Sequence, residues 1–239
     1  MNSATVYVLA EGSTEQTFVR DVLAPAMSCQ GVYLCPALIG KSGHKGGNIR
    51  FDRAKIDIRN FLRQRHDTYV STMFDYFRID ADWPGRAEVC QRVKSGMALR
   101  ARDKAMILEA ATQKAIEETC PDSDAEKRFV PYIEMHEFEA LLFSDVRVLA
   151  EKADIGISAL DRLLEEYGEP EEINDDPQNA PSKKIATLNH SYRKVAMGKA
   201  IAEAIGISTL RKKCTHFDEW LRKLEGLAIR TDTEWIKDT

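Results

Sequence analysis

Acidic side chains stand at three separated places where the chain leaves an apolar, β-prone run. Glu11 follows Thr5 to Ala10, Asp75 follows Tyr69 to Phe74 with Asp80 and Asp82 just beyond it, and Glu137 or Glu139 follows Phe129 to Met135. As parallel strands of one sheet, these runs would bring their carboxyl ends to one edge, where open α/β folds keep their ligand sites. Two like charges about 4 Å apart repel by roughly 4 kcal/mol at an effective dielectric near 20, so clustered carboxylates raise one another's pKa or recruit a cation. Magnesium, or manganese in its place, is the natural guest, because it takes hard oxygen ligands, keeps several waters and bridges to substrate phosphates. A bound divalent ion activates water and neutralises charge on a phosphate, so phosphodiester hydrolysis of DNA or RNA is the expected chemistry.

Other residues could assist. In Glu11-Gly12-Ser13-Thr14-Glu15-Gln16 the strand-to-glycine-to-helix junction displays Glu11. Ser13 and Gln16 are spaced as a capping box that would stiffen the turn. Glu15 either joins Glu11 or complements a helix dipole. His136 could position a phosphate or act as an acid, and a hydrogen-bonded structural histidine fits equally. The glycine-rich loop with Lys41, Lys45 and Arg50 could wrap a nucleic-acid backbone, or be a solvated surface loop. Lys183 and Lys184, after Pro181 and Ser182, could offer a positive helix end to an anion, or be wet lysines on a capped helix. Arg211, Lys212 and Lys213 form a second basic cluster with the same two readings.

Some chemistries are excluded. A phosphate-binding loop ending at Gly40-Lys41-Ser42 needs a glycine where Cys35 stands. A zincin needs a second histidine where Ala140 stands, and a zinc deaminase needs a Pro-Cys-x-x-Cys that does not follow.

The elements that must position these residues read as follows. A helix is expected from Glu15 to Ala26, closed by Pro25, then a buried strand over Val32 to Ile39 and a helix from about Asp52 to Arg65. After the Asp75 strand, helical stretches cover Glu88 to Val93 and Ala98 to Glu118, and the strand Phe129 to Met135 gives way to a helix. This alternation predicts right-handed crossovers and a mainly parallel sheet, an α/β fold. From Val146 onward only helical patterns remain. The expected organisation is an α/β core over 1–145 and a helical C-terminal region over 146–239 packed on it.

With 239 residues, 44% hydrophobic and 30% charged, the chain can bury a sizeable core. Its net charge of −4 means that any nucleic-acid binding must be local. No run approaches the eighteen or so apolar residues of a membrane span, and no signal core opens the chain, so a cytoplasmic protein without membrane contact is expected. Five scattered cysteines with no C-x-x-C pair fit reduced thiols.

Glu-Gly-Ser-Thr-Glu after the first strand, an Asp ending a middle strand, and the run His136 to Asp145 together resemble a bacterial family of the Toprim-like group, domain of unknown function family 4276. The segment Glu169 to Ile185, with Asn174 and Ala180 to Lys184, and the run His216 to Leu221 are similar to the same family. The resemblance implies a Toprim-like core, related to overcoming-lysogenization-defect and RloB-like nucleases, and a metal-dependent nuclease subunit. An ABC-type or AAA ATPase would be its partner in anti-phage defence, with nucleic acid as substrate and the oligomeric state left open. Glu11 would take the position of the Toprim glutamate, Glu15 that of a second acid, Asp75 that of the first aspartate, and Glu139 that of a Phe-Glu acid. The Asp-x-Asp pair is broken by Phe77, so Asp80 or Asp82 would have to substitute. A non-catalytic subunit that binds the ATPase or nucleic acid is the alternative.

Overall fold

In a computed structural model, residues 3–40, 49–173 and 180–234 are described, the last five of these as backbone only. Lys41 and Lys45 lie outside them, as does Asn174.

Four apolar runs make one parallel sheet. β1 (Ala4–Ala10) pairs with β2 (Val32–Leu38) on one side and β3 (Thr68–Asp75) on the other. β4 (Phe129–Val130) and then β5 (Ile133–Glu134) pair with β3, giving the order β2-β1-β3-β4 with β5 against the end of β3. Side chains alternate across the strands, as the period of two requires. Ala4, Val6, Val8 and Met73 enter one core, while Leu9, Val70 and Phe74 enter a second on the opposite face.

The second face is covered by α3 (Phe51–Gln64), α4 (Arg86–Lys94), α5 (Ala101–Thr119) and the short α6 (Ala125–Arg128). The first face is covered by α1 (Ser13–Phe18), a π turn over Val19–Leu23, α2 (Ala24–Ser28) and a 3-10 helix over Phe138–Ser144. Further along the chain come α7 (Val146–Ala153), α8 (Ile157–Tyr167), α9 (Pro181–Leu188), α10 (Lys194–Ile205), α11 (Ile207–Lys213) and α12 (Thr215–Glu234). The described residues after Val146 that belong to elements are thus helical, as their periodicity predicts. They share one apolar core with β1, β2 and α1. Among the described residues, no helix is long and apolar enough to cross a membrane.

Four sequence expectations are corrected. The helix after β1 continues through Pro25 to Ser28, because the wider π turn just before it absorbs the missing amide hydrogen bond. Ser13 is not the cap of α1: Gly12 holds that place in an extended conformation, and no side-chain cap bond forms. β2 is an edge strand rather than a buried one, with Tyr33 51% exposed. The run 129–135 is two short strands, separated where Pro131 interrupts the ladder and Tyr132 N instead donates to Thr72 Oγ1 at 2.9 Å.

The last helix is anchored under the sheet by polar contacts. Trp220 stacks on Tyr132 at 4.2 Å and its Nε1 donates to Ser71 Oγ in β3. His216 Nε2 lies 2.8 Å from Glu109 Oε1 on α5, and both amides of His216 and Phe217 donate to the Glu171 carboxylate. Burial works against the His216 cation, but the Glu109 charge and hydrogen bond outweigh it and hold its pKa above the ordinary imidazole value.

Candidate acidic site at the carboxyl edge of the sheet

Parallel pairing in register carries the ends of β1, β3 and β5 to one rim: Ala10 lies opposite Met73, and Asp75 opposite Glu134. Glu11, one residue past β1, therefore falls beside the end of β3, where its Oε2 accepts from the Asp75 amide at 3.4 Å. Asp75 Oδ1 in turn accepts from the Phe138 amide at 3.1 Å, which ties the rim to the start of the 3-10 helix. That helix carries Glu139, and Glu137 sits at its cap position. Glu15 projects from the first turn of α1 and folds back over Gly12, where a β-carbon would come within 3.0 Å of its Oε2. A larger residue at 12 would press that carboxylate to shift.

Five acids thus gather at one edge. Glu15, Asp75, Glu137 and Glu139 are buried, and the Glu11 side chain is only 13% exposed, so Glu11 is enclosed rather than displayed. Burial, and then the Glu15 charge, push the Glu11 carboxyl up to about 8, against the pull of Arg78, whose Nε lies 3.6 Å from Oε1. Asp75 is raised well above the usual carboxylate range by burial and then by Glu11, Glu15, Glu137 and Glu139. Glu15 is raised by burial, with backbone hydrogen bonds at Glu15 and Gly12 and the Lys194 charge opposing. Burial pushes Glu139 up to about 7, tempered by Lys194.

Lys194, the first residue of α10, supplies the cation that the acids share. Its Nζ stands 3.3 Å from Glu137 Oε2 and 3.3 Å from Glu139 Oε2. Burial works against the ammonium, but Glu139, then Glu137 and Asp75, outweigh it and hold the Lys194 pKa above the ordinary lysine value. Glu137 is also bound at the start of α9, where the Ser182 amide and hydroxyl both donate to it, the latter at 3.0 Å. Glu139 Oε1 and the Tyr192 hydroxyl are buried at this edge with no hydrogen-bond partner among the described residues. Burial, with the Glu139 and Glu137 charges, raises the Tyr192 pKa, so its proton stays on.

The structure sorts the residues picked out by sequence. Glu11, Glu15, Asp75, Glu137 and Glu139 come together. His136 is adjacent, buried, and stacked on Phe77 with ring centroids 5.2 Å apart. Asp80 and Asp82 make no hydrogen bond or ion pair to these acids; the Asp80 amide is tied to the Ile49 carbonyl at 3.0 Å, and Asp82 is exposed. Their turn starts beside Ile79, which pairs in parallel with Ile49. Arg50 is exposed at the cap of α3. Lys183 and Lys184 line a cleft of about 380 Å³ between α8 and α9 with Arg162 and Glu166, and neither is ion-paired to the acids. Sequence reasoning missed Lys194, Ser182, Arg78 and Tyr192. Lys194 and Tyr192 had no local signal, because the acids beside them lie more than fifty positions away.

The donor set fits magnesium. It is all carboxylate oxygen, once deprotonated it would carry more negative charge than Lys194 and Arg78 neutralise, and one buried oxygen is unpartnered. Among the described residues, no three His, Cys, Asp or Glu side chains are placed to hold one ion together. Magnesium commonly uses one or two carboxylates, with water and phosphate completing its shell, so a bound ion would rest on a pair such as Glu11 and Asp75.

Residues 10–225 match the family model for a domain of unknown function (DUF4276), and the chain belongs to that family. No curated protein and no solved structure matches it.

Proposed function

We propose that this DUF4276 member is a magnesium- or manganese-dependent nuclease with a Toprim-like core, hydrolysing phosphodiester bonds of DNA or RNA. The observation that carries the reading is the convergence of five acids from β1, α1, β3 and the 3-10 helix around Lys194 at the carboxyl edge of a parallel sheet. Glu11 and Asp75 would hold the ion, with Glu15 beside them. When bound, the ion neutralises charge developing on the phosphate. Lys194, whose side chain is 45% exposed, presents a fixed positive charge from the rim to a phosphate oxygen. Glu139 is held through one oxygen by Lys194, and its unpartnered Oε1 is buried, so it would take a proton from an attacking water only where substrate binding admits that water. His136, stacked on Phe77, is kept as an assisting acid. The ATPase partner, the defence setting and a cytoplasmic location rest on the sequence resemblance and composition alone.

A second reading is a non-catalytic subunit that docks on the ATPase or on nucleic acid. Phe77 favours it, because it fills with an aromatic stack the position where the resemblance needs a second aspartate.

The deciding experiment incubates the full chain, with and without the purified ATPase, with single-stranded, duplex and transfer substrates of DNA and RNA in magnesium and manganese. Cleavage abolished by Glu11→Gln and by Asp75→Asn supports the nuclease. Intact substrate under every condition, with the ATPase present, overturns it in favour of the second reading.

A further inference from the structure

The basic cluster Arg211-Lys212-Lys213 does not survive folding as a unit. Arg211 is consumed internally: its guanidinium bonds Asp218 and both oxygens of Glu225. Lys212 and Lys213 remain, and the fold brings a third cation to them from 65 positions upstream, Arg147 on α7. Together these three line an open cleft of about 570 Å³ between the end of the 3-10 helix and the α11–α12 junction.

None of the three cations has a side-chain hydrogen bond or an ion pair among the described residues. Of the two acids in the same lining, Glu169 is charge-paired elsewhere and Asp145 caps α7, so one negative charge at most stands against the three cations. Asp145 Oδ1 accepts from the Arg147 and Val148 amides at 3.0 and 3.1 Å, and Glu169 Oε2 is held by Arg100 Nη2 at 2.8 Å. The cleft therefore keeps a surplus of positive charge that nothing described on this chain relieves, in a protein whose net charge is −4. Helix dipoles account for part of it only: Lys212 and Lys213 lie in the last turn of α11, where cations are favoured. Arg147 lies in the first turn of α7, where a cation is disfavoured, so its position there needs another reason.

The three side chains are exposed, and the site lacks the enclosed, convergent polar groups that grip a small metabolite. Cations without base-reading groups are how a phosphate backbone is tracked, by charge and without regard to sequence. We infer that the cleft lined by Arg147, Lys212 and Lys213 binds the sugar-phosphate backbone of a single-stranded nucleic acid. The inference is separate from the chemistry of the acidic rim and holds whether or not that rim cleaves.

The test measures anisotropy of a labelled single-stranded oligonucleotide with the full chain in chelator, so that binding is read without cleavage. Reversing the three charges together (R147E, K212E and K213E) should weaken binding about tenfold or more and reduce the slope of log affinity against log salt by about 2, at roughly 0.7 for each phosphate that is no longer neutralised. A control of equal charge change elsewhere (K94E, K114E and K152E) should weaken it by less than about threefold. Unchanged affinity in the cleft variant, or an equal loss in the control, overturns the assignment. So does tighter binding to anionic lipid vesicles, or to a duplex, than to the single strand. Should the triple variant melt before the wild type, Arg147→Ala and Lys213→Ala replace it, and unchanged binding in both overturns the assignment.

Discussion

Lys194 Nζ stands 3.3 Å from one carboxylate oxygen of Glu139, while the other oxygen of that group is buried without a partner. One lysine at the head of α10 therefore holds down two acids of the rim, since Glu137 lies at the same distance. Lys194→Met removes their compensation and is expected to cost about 1–3 kcal/mol at pH 8. The deficit should shrink at pH 5, where Glu139 takes up a proton and no longer needs the ammonium. Melting curves of both proteins at the two pH values check this, and an equal deficit at both would remove Lys194 from its electrostatic role.

Stability without metal should fall as pH rises. Glu11 is raised from an ordinary value of 4.5 to about 8 and Glu139 to about 7, so the folded chain keeps protons that the unfolded chain has lost. The contribution of these groups is full below about pH 4.5 and is lost progressively as pH passes 7 and then 8. Glu11→Gln deletes one titrating group, so its melting temperature should decline less steeply between pH 5 and 8. Parallel declines for the two proteins would mean that Glu11 is charged in the fold.

Divalent ions should reverse that decline. At tenfold over its dissociation constant a ligand stabilises by about 1.4 kcal/mol, which for a chain of this size raises melting by roughly 3–6 °C. The shift should be larger at pH 8 than at pH 6, since the acids must lose their protons to bind metal. It should vanish in Glu11→Gln and in Asp75→Asn. Calorimetric scans across millimolar magnesium and manganese measure it, and a flat response contradicts the metal assignment.

Gly85→Ala probes the opposite side of the sheet. Gly85 has φ +82°, and a β-carbon there would meet the Ile107 carbonyl at 2.9 Å and the Leu108 α-carbon at 3.1 Å on α5. Strain and overpacking together are expected to cost about 2–4 kcal/mol. The metal-induced shift should keep its size, because α4 and α5 do not carry the rim acids other than through the sheet. Wild-type melting of the variant would contradict the close approach.

The sheet and its acidic edge were legible because each is written in contiguous residues. β1 and β3 are apolar runs ending in Glu11 and Asp75, and parallel pairing does the rest. What needed coordinates was either subtle backbone geometry or remote pairing. Pro25 reads as a stop because nothing local announces a π turn. Phe129 to Met135 reads as one strand because Pro131 interrupts the ladder without ending the apolar pattern. Lys194 is an ordinary lysine in a polar stretch until α10 lays its first turn against residues 137 and 139, and Arg211 is one of three equivalent cations until Asp218 and Glu225 claim it. Asp80 and Asp82 look like ligands because they follow Asp75 closely, yet the Asp80 amide is tied to Ile49 and neither carboxylate bonds a rim acid among the described residues.

Trp220 donates to Ser71 in the middle strand of the sheet, and its neighbours complete the cover over β1 and β2. Synthesis from the amino terminus delivers every strand well before that tryptophan. Until that helix is made, the face over β1 and β2 has only the cover given by α1, α2 and the 3-10 helix, so the native packing of the first core waits on residues more than eighty positions beyond β5.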